Sequence, residues 1–194
     1  PDAVFRRAFT TFAMADYRAA NSELREYLDL HDGDGYNDEA RLLLGDSLLA
    51  VGEIDAGLAS YKKINPSSGR LFEESRFNIG KVMRLQGRFI DMREHFTGFI
   101  ASNPESTRMA EAVYWIGWAH KTEGNEQAAR LMYRDILRMH GDRHELFGIA
   151  DVLDGLRKLY SPGNMQGYVS EMGRLVSEAK LEEKRTLELH ARWA

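Results

Sequence analysis

His140 and His144 stand four apart, with Asp142 and Glu145 beside them. Histidines at that spacing share a face of a helix, and imidazole with carboxylate is a zinc-ligand set. Gly141-Asp142 would break a helix between them, however. The chain also reads His-Glu-Leu-Phe-Gly where a metalloprotease needs a second histidine. A solvated turn is the expectation, with no metal and no other cofactor. Cysteine is absent, which removes disulfides, thiolate zinc sites and cysteine nucleophiles. No glycine-rich phosphate loop, no Gly-x-Ser-x-Gly elbow and no paired carboxylates stand out from ordinary helix surface. No catalytic residue is therefore assigned, and the chain reads as a non-enzyme. Lys81, Arg84, Arg88 and Arg93 form a modest basic patch suited to an acidic partner or a phosphate. A solvated face alternating with acids is the plainer reading of those four. A formal net charge of -4 argues against nucleic acid, whose binders carry a basic surplus.

The elements that would hold such residues are helices. Hydrophobic residues make up 43% and charged residues 29%, a globular rather than a disordered balance, and only 4 prolines interrupt 194 positions. No apolar run reaches the ~18 residues of a membrane span. The chain starts at Pro1 and ends at Trp193-Ala194 in a helical pattern, so it reads as a fragment or processed form.

The stretch from Ala110 to Met139 shows the plan. Val113, Ile116, Gly117 and His120 lie at i, i+3, i+4 and i+7, one face of a first helix. Ala129, Tyr133 and Ile136 mark a face of a second, with a hinge at Gly124. Small residues at Gly117 and Ala129 let two helices approach, and Tyr133 fills the space below. His120 falls on the packing face and is expected at the core or its boundary.

The plan repeats. The hinge positions Ala15, Gly52, Gly87 and Gly124 step by 37, 35 and 37 residues. The large residues Leu24, Tyr61, Phe96 and Tyr133 step identically, as do Tyr27, Ile64, Phe99 and Ile136. A hinge glycine suits a short helix-helix turn, which often needs positive φ. Units are expected at about 2–34, 37–69, 71–104 and 107–141. A fifth, looser unit follows at 144–180, and 181–194 would begin a truncated or capping unit. In the fifth unit a helix is expected from His144 to Tyr160 and a second from Met165 to about Lys180. Tyr168, Met172 and Leu175 take the second-helix roles there, but Gly155 sits where the register wants position 156. The whole is read as one solenoid domain.

At these positions the chain resembles a tetratricopeptide repeat protein. That family's pattern is Trp-x2-Leu-Gly-x2-Tyr, then Ala-x3-Phe, then Pro, with a period of about 34. Leu44-Gly45-x2-Leu48, Ile79-Gly80-x2-Met83 and Ile116-Gly117-x2-His120 match its first part. Ala20-x3-Leu24 and Ala129-x3-Tyr133 match its second, and Pro104 falls on the final proline. Met92 departs from it, standing where unit three should have a small residue, and the periods exceed 34. The texture of Ala112 to Asp142 is similar to tetratricopeptide proteins of the bacterial cell envelope, the Tol-Pal-associated and outer-membrane-assembly lipoprotein families. That favours periplasm or envelope over cytoplasm.

The resemblance implies an all-α, right-handed superhelical solenoid of about five antiparallel helix hairpins, with a concave groove that binds a peptide or partner protein. In this family the second, fifth, sixth and ninth residues of each first helix tend to face the groove. Here the candidates so placed are Phe9, Asp46, Phe77, Asn78, Lys81, Tyr114, Trp115 and Trp118. Tyr114, Trp115 and Trp118 are the sharpest, because exposed rings bury large area at small entropy cost. The competing reading packs one or two of them between helices. Some eukaryotic relatives grip a C-terminal carboxylate with lysine, asparagine and arginine at fixed groove positions. Leu42, Asp46, Glu111 and Trp115 stand at such positions here and only Asn78 fits, so that specificity is not expected. Two rivals to a peptide-binding scaffold are a structural module joining a larger chain or homo-oligomer, and a regulatory segment of a longer envelope protein with its chemistry elsewhere.

Overall fold

The computed structural model describes residues 2–31, 33–140, 146–160 and 162–178. Among them are ten α-helices and no strand. In order they are α1 (Asp2–Ala13), α2 (Tyr17–Leu30), α3 (Asn37–Ala50), α4 (Ile54–Lys62), α5 (Arg70–Leu85), α6 (Phe89–Ser102), α7 (Met109–Thr122), α8 (Glu126–His140), α9 (Ile149–Arg157) and α10 (Met165–Glu178). The hinges fall where the spacing places them. Ala15, Gly52, Gly87 and Gly124 all have positive φ, at 61°, 86°, 70° and 83°. At three of these corners the next residue's N–H reaches back five residues, Asp16 to Thr11 O, Glu53 to Leu48 O and Asn125 to His120 O. That bond, closed around a left-handed residue, satisfies carbonyls the helix end would otherwise orphan. Asp16 and Asn125 then cap the following helices with their side chains, accepting from the Ala19 and Ala128 N–H.

The chain divides into two units, Pro1–Leu85 and Gln86–Ala194. In the first, each helix packs on the next, and α3 also touches α1 and α5. One core gathers Phe5, Ala8, Ala20, Leu24 and Tyr27 with Leu44 and Leu48 of α3. A second joins Leu42, Leu58, Tyr61 and Ile64 to Ile79 and Val82 of α5. In the second unit α7 packs on α6, α8 and α9, and α8 on α9 and α10. Its core runs from Met109 and Val113 through Tyr133 and Ile136 to Tyr168, Met172 and Leu175. The buried side chains of each unit are thus shared by neighbouring hairpins, which a lone hairpin could not bury.

The glycine–tyrosine pairs set the helix spacing. A methyl group added at Gly117 would come within 2.3 Å of the Tyr133 ring, and one at Gly45 within 2.3 Å of the Tyr61 ring. Met92, by contrast, fills its second-helix position and is fully buried.

The fifth unit differs from expectation at two points. Its first helix starts at Ile149 rather than near residue 144. Gly148 has φ 89° and lies so close to the Glu111 backbone that a Cβ would clash, while the Phe147 N–H donates to Thr107 O. The chain is thereby held against the start of α7 and turns into helix only afterwards. Secondly, Gly155 does not serve Tyr168. It faces Tyr133, where a Cβ would stand 2.9 Å from the ring, and Leu156 is buried beside it. Tyr133 is therefore wedged between Gly117 and Gly155. The expected 181–194 helix and the Gly141, Asp142, His144 and Glu145 positions lie outside the described residues.

Candidate functional site

Along α7 the 3.6-residue period puts Val113, Ile116 and Gly117 inward and leaves Tyr114, Trp115 and Trp118 only partly covered. The three rings interlock. Tyr114 meets Trp115 edge-on at 5.1 Å between centroids, and Trp115 meets Trp118 edge-on at 5.9 Å. Phe89, from the start of α6, meets Trp118 edge-on at 5.5 Å. Tyr114 stacks on the buried Tyr133 ring at 6.2 Å, and the Tyr133 hydroxyl donates to Tyr114 O at 3.1 Å. Burial raises the Tyr133 phenol well above its ordinary value. It therefore stays a neutral donor, and the ring face is held by fixed neighbours.

Beside these rings is a partly open cavity of about 260 Å³. Tyr114, Trp118, Lys121, Thr122 and Tyr133 line it, with Gly155 and Lys158 opposite. Lys121 and Lys158 are absent from the residues singled out by sequence. The signal that points to them is the displaced Gly155, which opens the space they rim.

In the first unit, Asp46, Asn78 and Lys81 come together. Asp46 Oδ1 accepts from the Tyr61 hydroxyl and, at 3.1 Å, from Asn78 Nδ2. Lys81 Nζ donates to Asn78 Oδ1 at 3.2 Å. Burial is the largest influence on Asp46 and lifts its carboxyl above the usual carboxylate range, against the two hydrogen bonds it accepts. Tyr61 is pushed up in turn by burial and by that carboxylate.

Two further candidates sit differently. Phe9 is 46% exposed, its ring 6.5 Å from Phe5. Phe77 is 1% exposed and offers no surface to a ligand. It occupies the register position held by Leu42 on α3 and Phe5 on α1, both also buried. Leu42 shows why: it points between its own hairpin partner, α4, and the next first helix, α5. The fifth residue of a first helix thus belongs to packing here, and Tyr114 escapes only in part.

Of the four basic residues only Lys81 and Arg88 are exposed, and Arg84 and Arg93 are half-buried. Arg88 pairs with Asp91 at 2.6 Å, and Arg93 with Glu123. His120 is half-buried, and its imidazole is held below the ordinary value by burial first and by Arg93 second. It is a boundary histidine. Among the described residues no cluster of three metal-ligating side chains occurs, and no helix is long and apolar enough to cross a membrane.

No family model matches this chain, and no curated protein matches it. Among solved structures, a tetratricopeptide repeat protein from Parabacteroides merdae ATCC 43184 is similar over 97% of this chain and 72% of its own, with a TM-score of 0.62 at 17% identity. Likeness at that identity speaks for the fold: this chain is an all-α, tetratricopeptide-like solenoid of helix hairpins.

Proposed function

We propose that the chain is a non-catalytic protein-interaction scaffold and that it takes a peptide or partner protein on the aromatic face of α7. The observation that carries this is the Tyr114–Trp115–Trp118 cluster, partly exposed and locked edge-to-face on a buried tyrosine. Rings so held bury large area on binding and lose little side-chain freedom. The fold supports the reading, because stacked hairpins commonly present extended binding surfaces. Asp46, Asn78 and Lys81 supply a polar contact set in the first unit, with Phe9 as a second exposed ring. The bacterial cell-envelope setting suggested by residues 112–142 belongs to the same proposal, and fractionation of the source cells tests it.

The central test is capture from source lysate by the wild-type chain beside a Tyr114→Ala/Trp118→Ala variant of unchanged helical circular dichroism. A protein captured by the first and lost by the second is the expected result. Equal capture by both would move the interface off α7. Concentration-dependent mass with no captured partner would favour self-association instead.

A further inference from the structure

Resting on that scaffold reading, we infer that the cavity between α7 and α9 selects an acidic partner segment: an apolar or aromatic side chain enters beside Trp118 and Tyr133, and a neighbouring carboxylate pairs with Lys121 and Lys158. About 260 Å³ falls below the ~300–1,000 Å³ of small-molecule pockets and suits a single side chain. Its walls are the Tyr114, Trp118 and Tyr133 rings, and Gly155 keeps the far wall free of side chain.

The chain carries a net -4, yet the lining of this cavity holds two lysines and no acid. Lys121 Nζ donates to Lys158 O at 3.1 Å, which fixes it at the rim and ties α7 to the end of α9. Lys158 Nζ lies 2.5 Å from Asp154, and the same carboxylate also holds Arg157 at 2.7 Å. One carboxylate therefore serves two cations, and Lys121 adds a third. The surplus is positive, at the lip of an aromatic wall. A carboxylate arriving there meets ammonium donors already in place. On α7 and just after it, Glu111 pairs with Arg108 and Glu123 with Arg93.

The test selects short random peptides on the full chain, on Trp118→Ala and on Lys121→Gln/Lys158→Gln, with circular dichroism confirming that each variant keeps its helix. The library is displayed once with a fused and once with a free C-terminus. The expected result is enrichment on wild type of an acid beside an apolar residue. The consensus peptide should bind the lysine variant roughly tenfold more weakly. An acid enriched in both formats identifies a side-chain carboxylate, and one needed only in the free format identifies the chain end. Apolar peptides without acidic preference, still lost on Trp118→Ala, would overturn the charge selection and leave the scaffold reading standing. Peptides held equally by Trp118→Ala, or none held by wild type, would overturn both.

Discussion

A single hydrogen atom for a side chain decides how closely α7 and α8 approach. Gly117→Ala would drive a methyl into the Tyr133 ring, which Gly155 blocks from retreating on the other side. Overpacking of this kind costs about 1–3 kcal/mol. Gly98 gives the control: it is exposed on α6 with nothing within 4 Å of an added Cβ, so Gly98→Ala should stabilise by about 0.5–1 kcal/mol. Urea midpoints moving in opposite directions for the two changes are the expected outcome. The hinge at Ala15 argues the reverse case. Its φ of 61° costs alanine about 1–2 kcal/mol, more than glycine loses through unfolded-chain entropy, so Ala15→Gly should raise stability by about 0.5–1 kcal/mol. Asp46 adds a pH signature. Its raised carboxyl value means the folded state holds that proton more tightly than the unfolded chain does. Stability from this group is fully present below about pH 4 and is lost as pH rises through the folded value. Asp46→Asn keeps an acceptor for Tyr61 but cannot titrate. The variant should melt above wild type at pH 7, with the gap closing toward pH 4. Of these residues, the glycine–tyrosine pairs and the hinges were legible in the sequence, because sterics repeat at a fixed spacing. The burial of Phe77 was not, because its neighbours come from other helices.

At the scale of elements, α10 is held by charge rather than by a glycine fit. Glu171 of α10 is 5% exposed and lies 2.5 Å from Arg134 Nε of α8. It also accepts from the Tyr160 hydroxyl at 2.8 Å and from Arg174 at 3.1 Å. Arg130 covers the Tyr160 ring and donates to Leu159 O, closing the set. Arg134 is only partly covered, so stranding it costs less than breaking a fully buried pair, about 1–3 kcal/mol. Glu171→Ala should therefore release α10. Hydrogen exchange would show residues 165–178 losing protection while α7 keeps its own, and uniform loss would refute the latch. This also explains why the repeat pattern fades after residue 141. Tyr168, Met172 and Leu175 keep their apolar periodicity and were legible. An ion pair reaching from Arg134 to Glu171 carries no period, and Gly155 answers to Tyr133 of the preceding helix.

Across the described helices, stability is distributed by neighbourhood. Each helix of the first unit shares its core with the next helix or the one after, and the same holds from α6 to α10 in the second. Chains built this way behave as a sum of unit stabilities and nearest-neighbour terms, with no single core to lose. The all-α hairpin order was legible for that reason: local contacts follow local periodicity. The identity of a partner was not, because ring exposure at Tyr114 and Trp118 depends on α6, α8 and α9 together. Nearest-neighbour coupling makes a prediction that a single cooperative core does not. Gly117→Ala strains α7 against α8 and, through Tyr133, α9. Its destabilisation should appear in hydrogen exchange as lost protection in α7, α8 and α9, fading toward α10. The amides of α1, α2 and α3 should exchange as in wild type, since those helices share a core cluster of their own. An equal fall in protection across all the described helices would show one global unfolding unit instead. The outcome bears on binding as well: if the loss is local, the same substitution should weaken capture at the α7 rings while leaving the Asp46–Asn78–Lys81 set folded.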